Sequence, residues 1–379
     1  MARPFGVYVH FPYCTHRCPY CDFAVTTERP PGGGRYLEAV LAELAARAPA
    51  FEGLAPVSLY VGGGTPSLWD PEEVASLVAA VRRRLALRAS AEVTIEANPE
   101  STDRARLRAW RAAGVNRVSI GAQSFDPAVL AKLGRRHGPD AAERAIREAA
   151  EELPNVSVDL IYGARRSSVA IARADAERAA RAGAAHVSAY ALTVEREALA
   201  EEVPFARMWR EGRLALPSDD ETAAQGAAIR AALRRAGLRR YEISNFARPG
   251  FASVHNRLYW DGESYLGLGA GAYGCRRGDG RSLRYGNLRG AAAYVDTACA
   301  GRLPTAEEDP IDAVAERNER MMLALRTRDG LALSYLSPAQ AGEADRLVAR
   351  RLAVRRAGRL VLTSRGLDVH TAVAARLLE

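Results

Sequence analysis

Lysine is nearly missing: of the 53 basic residues only Lys132 is not an arginine. In an alanine-rich chain that bias is compositional, so the net charge of +8 does not by itself indicate nucleic acid. The pairs Arg82-Arg83, Arg234-Arg235 and Arg350-Arg351 are scattered over predicted helix faces. No nucleic acid is expected as a partner, while an anionic ligand stays open. Nor is there any run of 18 uninterrupted apolar residues, or a sustained apolar stretch in "MARPFGVYVHFPYC", so neither a membrane-spanning helix nor a secretory signal is expected. The expected location is the cytoplasm. Cysteine is sparse and odd in number, five in all with three of them inside residues 14–21, which argues against a disulfide scaffold and for a metal or redox site. Cys275 and Cys299 then read as buried or incidental thiols. No internal repeat or low-complexity linker is found.

What is present is an ordinary globular composition, 48% hydrophobic and 26% charged. At 379 residues, one large domain with a smaller one is the natural division. The runs 6–11, 57–63, 92–97, 117–122, 156–162 and 186–192 are β-branched and mostly apolar, as parallel strands buried on both faces should be. Between them lie helical patterns. After Asp70, Pro71 and Glu73 give a capping-box-like start, and Val74, Leu77, Val78, Val81 and Leu85 form one apolar stripe. Leu37, Val40, Leu41 and Leu44 do the same earlier, as do Leu107 and Trp110 after Thr102, where Gly114 ends the helix. Six strand–helix alternations predict an α/β fold, a partial (β/α)6 TIM-type barrel with its functional residues at the carboxyl ends of the strands.

The barrel is expected over residues 1–238, including a capped helix from Ser218 and Glu221 to about Gly237. Residues 239–305 read as an irregular, Gly- and aromatic-rich segment. Residues 306–379 read as an appended C-terminal helical, winged-helix-like domain with a hairpin turning at Ala357-Gly358.

The segment "HFPYCTHRCPYCDF" carries Cys14, Cys18 and Cys21 directly after the first strand. A structural zinc would need a fourth ligand, for which His10 or His16 could be nominated, and normally a second distant knuckle. No second knuckle exists. Three thiolates on a four-iron cube leave one iron open to a small molecule. Other strand ends add Gly62, Gly63, Gly64 and Thr65 in "YVGGGTP", Glu96 in "IEANPE", Gln123 in "SIGAQSFD", Arg135 in "LGRRH" and Asp159 in "VDLIYG". Glycines there let backbone approach a ligand, or make a plain tight turn. Glu96 is placed to accept hydrogen bonds from ribose hydroxyls, or to cap the next helix.

The C-x3-C-x2-C spacing matches the signature of radical S-adenosylmethionine (SAM) proteins, and the blocks in this order resemble the family of oxygen-independent coproporphyrinogen III oxidase and its relatives. That resemblance implies a [4Fe-4S] cluster on Cys14, Cys18 and Cys21, with SAM chelating the open iron. It implies SAM contacts from Tyr8, Gly63, Gly64, Thr65, Glu96, Gln123, Arg135 and Asp159. The oxidase branch has a further cysteine where this chain has Phe23, and a longer extension before the cluster. The sequence "HNRLYW" at 255–260 instead resembles the H-N-x-x-Y-W motif of the HemW-type haem chaperone branch.

The resemblance therefore implies haem as a third cofactor, acceptor haemoproteins, a low-potential electron donor such as flavodoxin or ferredoxin, and a homodimer. His255 is the expected haem ligand, since imidazole suits haem iron; packing of the segment against the barrel is the alternative on the residues alone. The competing activities are coproporphyrinogen III decarboxylation and RNA modification through the tail. Two departures from the family stand out: "YGARRSS" at 162–168, which brings in Arg165 and Arg166, and Tyr273 where the family often has histidine.

Overall fold

A computed structural model describes residues 2–30, 34–194, 203–278 and 281–378. The six apolar runs are strands β1 (Pro4–Phe11), β2 (Ala55–Gly63), β3 (Glu92–Ala97), β4 (Arg117–Gln123), β5 (Asn155–Tyr162) and β6 (His186–Ala191). They pair side by side, in sequence order and all parallel. Val7, Val9, Leu59, Val93, Ile95, Val118, Ile120 and Val158 are fully buried, as helices covering a parallel sheet require. Each such side chain stabilises by roughly 1.5–3 kcal/mol.

The crossover helices are those the sequence marks. Asp70 caps Pro71–Leu85 by accepting from the Glu72 backbone N–H at 2.8 Å, worth about 1 kcal/mol. The reciprocal half of the expected capping box is missing there. Glu73 instead accepts from the Trp69 indole N–H at 2.6 Å, because that buried indole needs an acceptor. At Ser218 the box closes, with the Glu221 carboxylate accepting from the Ser218 N–H at 2.8 Å.

The partial barrel is an open sheet. β6 continues into the short antiparallel β7 (Arg239–Arg240) and β8 (Asn245–Ala247), and the far side of β1 pairs in parallel with β9 (Ser264–Leu268). From β9 the sheet runs on antiparallel through β10 (Tyr273–Arg276), β11 (Ser282–Asn287) and β12 (Thr305–Ile311). This corrects the reading of 239–305 as irregular. The glycines that obscured the strands mark close approaches: a Cβ on Gly267 would lie 1.9 Å from the Tyr273 carbonyl oxygen.

The C-terminal residues form their own core around Met321, Leu325, Leu347, Leu360 and Leu377, beside a three-stranded sheet of β13 (Leu331–Ala332), β14 (Ala353–Arg356) and β15 (Arg359–Leu362). The hairpin turns where expected, with Ala357 (φ 49°) and Gly358 (φ 72°) both left-handed.

Candidate functional site

A cavity of about 420 Å³ opens at the carboxyl ends of β1–β6. Its rim begins with the loop after β1, where the Cys14 N–H donates to Thr26 at 2.9 Å and the Thr26 N–H donates back to Pro12 at 2.8 Å. This clasp holds Cys14, Cys18 and Cys21, all unpaired, on the cavity wall. Burial raises the Cys14 thiol and pushes Cys21 up to about 11. A coordinating metal removes such protons by its own charge.

Among the described residues, no three His, Cys, Asp or Glu side chains converge on a single ion position. Of the two histidines nominated as a fourth zinc ligand, His10 is engaged with Ala24 and Tyr8, both at 2.9 Å, while His16 lies beside the thiols, its Nε2 3.8 Å from the Cys18 sulfur but donating its proton to the Gly134 carbonyl at 3.0 Å. Three thiols whose neighbouring imidazole nitrogen is already given to a carbonyl fit a cube held at three corners better than a mononuclear zinc.

The β2 turn is stitched to the cysteine loop: the Gly64 N–H donates to Phe11 at 2.7 Å and the Thr65 N–H to Tyr13 at 3.0 Å. A Cβ on Gly64 would lie 2.9 Å from that loop's backbone, and one on Gly63 (φ 112°) 2.6 Å from the His10 ring. The glycines therefore serve the protein's own close packing first. The Thr65 hydroxyl donates to the Cys14 sulfur at 3.4 Å and accepts from the Asn98 amide at 3.2 Å. Asn98 in turn accepts from Arg135 at 2.6 Å, and Arg135 reaches Gly121 at 3.1 Å and the Cys18 sulfur at 3.7 Å. Its buried Nε has no partner among the described residues.

Glu96 accepts from the Tyr60 hydroxyl at 2.7 Å and the Gly63 N–H at 3.0 Å. Burial raises its carboxyl to about 7, and the Asp159 charge adds to the shift. Asp159, also raised by burial, accepts from Ser119 at 3.1 Å. Gln123 lines the cavity from a left-handed backbone position (φ 62°), which costs about 1–3 kcal/mol and marks a site where geometry is imposed.

Two expected site residues are not among those that line the cavity. Tyr8 sits behind the wall, its ring stacked on Tyr60 at 6.2 Å, outside the residues that line the cavity. His255 is 1% exposed on the helix Val254–Trp260, which closes the cavity from the amino ends of the strands. The Glu92 carboxylate accepts the first backbone N–H groups of that helix, and Asn256 reaches the cavity floor. Both imidazole nitrogens are engaged, with Ser58 at 2.9 Å and Tyr259 at 3.0 Å, and burial lowers the ring to about 3. As it stands, the ring packs the floor and presents no lone pair to haem.

Sequence reasoning missed Tyr60, Asn98 and Arg117 on this wall. Asn98 stood inside the quoted "IEANPE"; Arg117, 1% exposed, with Nε 4.0 Å from the Glu92 carboxylate and with no hydrogen bond at Nε or one terminal nitrogen among the described residues, opens a strand where no sequence signal separates it from a surface arginine. Of the departures, Tyr273 is exposed and donates to Glu307, and Arg165 and Arg166 are exposed in the loop after β5.

An open parallel β/α sheet with three thiols at its carboxyl edge is the architecture of radical SAM proteins. The superfamily's family model, Radical SAM, matches residues 8–168. The haem chaperone HemW of Mycobacterium tuberculosis is 41% identical over the whole of this chain and 95% of its own, and that of Escherichia coli 37% identical over 77% and 76%. The solved structure of coproporphyrinogen III oxidase HemN from Escherichia coli superposes with a TM-score of 0.80 at 20% identity, over 99% of this chain and 90% of that one, which shows the shared fold. The chain belongs to the HemW family of radical SAM proteins. Among the described residues, no helix is long and apolar enough to cross a membrane.

Proposed function

We propose that this protein is a cytoplasmic haem chaperone that holds a [4Fe-4S] cluster and SAM in the barrel cavity, binds haem and delivers it to acceptor haemoproteins. The observation that carries the reading is the trio Cys14, Cys18 and Cys21 on the wall of a cavity that also presents Glu96 and Arg135, in a chain 41% identical end to end to a HemW haem chaperone. When bound, the cluster supplies an open iron for the amino and carboxylate groups of SAM and a source of one electron.

The chain's own residues seat the ligand. Thr65 and Arg135 each donate toward a cysteine sulfur, which tempers the charge of a thiolate. Arg135 also offers a guanidinium to a carboxylate, and Glu96 and Asp159 offer acceptors to ribose hydroxyls. Gly63, Gly64 and Gln123 shape the wall around them. A low-potential donor such as flavodoxin or ferredoxin reduces the cluster, and the homodimer belongs to the same proposal.

Anaerobic reconstitution followed by iron and sulfide assay, SAM titration and haem titration tests it. About four irons and four sulfides per chain, a spectrum perturbed by SAM and retained haem are expected. A single tight zinc, or multiple turnovers of coproporphyrinogen III to protoporphyrinogen, overturns it.

A further inference from the structure

A second cleft, about 320 Å³, lies at the junction of β7, β8, the helix Val254–Trp260 and the turn Thr327–Asp329 that leads into the C-terminal core. Four arginines line it, Arg239, Arg248, Arg257 and Arg328, against two acidic residues, Asp261 and Asp329. Arg257 pairs with Asp329 at 3.2 Å. The side chains of Arg239, Arg248 and Arg328 have no hydrogen-bond or ion-pair partner among the described residues. Like charges drawn into one concavity repel each other, and an anionic guest reverses that repulsion. Trp260 also lines it, one face of its indole covered by the Arg326 guanidinium at 4.1 Å, which leaves the other face for a flat guest.

We infer that this cleft takes the carboxylate edge of haem, its two propionates paired with Arg239, Arg248 and Arg328 and the macrocycle projecting past Trp260. The inference rests on the haem-chaperone reading and deepens it. The charge balance calls for a guest with more than one negative group, and the indole wall favours a flat one over a bare phosphate. Among the described residues, the cleft is lined by no histidine, cysteine or methionine. A haem anchored here is held by its acid groups and leaves its iron without a protein ligand, which suits a carrier that must release haem to a haemoprotein supplying that ligand. Arg257 and Trp260 of the HNRLYW segment thereby face the ligand while His255 supports the barrel floor.

The test titrates the reconstituted full-length protein with haem and with haem dimethyl ester, which keeps the ring and iron but lacks the charges. The variants are Arg239→Gln/Arg248→Gln/Arg328→Gln, the same three positions changed to Lys, and a control removing three exposed charges elsewhere, Arg83→Gln/Arg88→Gln/Arg111→Gln. Expected are a weakening of haem binding by about tenfold or more in the cleft Gln variant, partial recovery with Lys, no change in the control, and ester binding equally weak in wild type and cleft variant. Equal binding of haem and ester by wild type, or equal loss in the control, overturns the cleft assignment and leaves the chaperone reading standing. Wild type that binds neither compound removes the chaperone reading, and this inference with it. Inorganic phosphate binding that is lost in the cleft Gln variant while haem binding is retained identifies the cleft as a simple oxyanion site and overturns the assignment to haem.

Discussion

The His255 imidazole lies 2.9 Å from the Ser58 hydroxyl and is packed so closely on β1 that a Cβ on Gly6 would touch its ring at 2.9 Å. The first residue of the HNRLYW segment is thereby fixed inside the barrel. His255→Ala should lower unfolding stability by about 2–3 kcal/mol, through a cavity and two orphaned hydroxyls. Denaturant unfolding measures the loss, while haem affinity of the folded variant should stay within about twofold of wild type by the cleft argument.

That destabilisation should itself depend on pH. Burial lowers folded His255 to about 3, whereas the unfolded ring titrates near the ordinary 6.5. The unfolded chain therefore takes up a proton first, so the ring's contribution is full above 6.5 and is lost as pH falls toward 3, at about 1.4 kcal/mol per pH unit. The gap between wild type and His255→Ala should narrow by roughly 2–3 kcal/mol between pH 6.5 and 4.5. A gap that widens on acidification contradicts the buried neutral ring.

Glu96 titrates near 7 in the free protein because burial opposes its charge. Its ionised form is the better acceptor for ribose hydroxyls, so SAM affinity of the reconstituted protein should rise as pH passes upward through 7. Glu96→Gln should lose about tenfold in affinity and flatten that profile. Calorimetric titrations at pH 6 and 8 distinguish the outcomes; a profile unchanged by the substitution assigns the pH dependence to another group.

Gly64→Ala should loosen the cysteine loop, since the added methyl has only immovable backbone to meet. Reconstituted iron should fall to about half or less, with a lower melting temperature. Gly342→Ala is the counterpart, inside the helix Pro338–Ala349 with nothing within 4 Å of its Cβ. It should stabilise by about 0.5–1 kcal/mol and leave the iron content alone.

Replacing Cys14, Cys18 or Cys21 singly by Ala should abolish the brown absorbance of reconstituted protein. The same change at Cys275 or Cys299 should not, because neither lies on the cavity wall. Retained iron in Cys18→Ala would place the cluster elsewhere.

The parallel strands, their helices and the cysteine loop were legible because each is local: an apolar run, a capped 3.6-residue stripe, three thiols spaced along one loop. The glycine turn was legible as a turn, but its packing on the cysteine loop was not, because what a missing Cβ makes room for there is a neighbour distant in sequence. Strands β9 to β12 were hidden for the same reason. Short, glycine-broken segments carry a weak period-2 signal, and they become strands through pairing with β1 and with each other.

The amino-acid order alone set three cysteines on one loop, and the resemblance of that spacing and of the blocks after it to radical SAM proteins implied the class of chemistry. Folding decided which face each remaining residue shows. It turned His255 inward to a hydrogen-bonded floor and Tyr8 behind the wall, and it drew Arg239, Arg248 and Arg328 from three separate segments into one cleft. Burial, partner distance and local charge are properties of residues far apart in the chain, so only the assembled tertiary structure could set them.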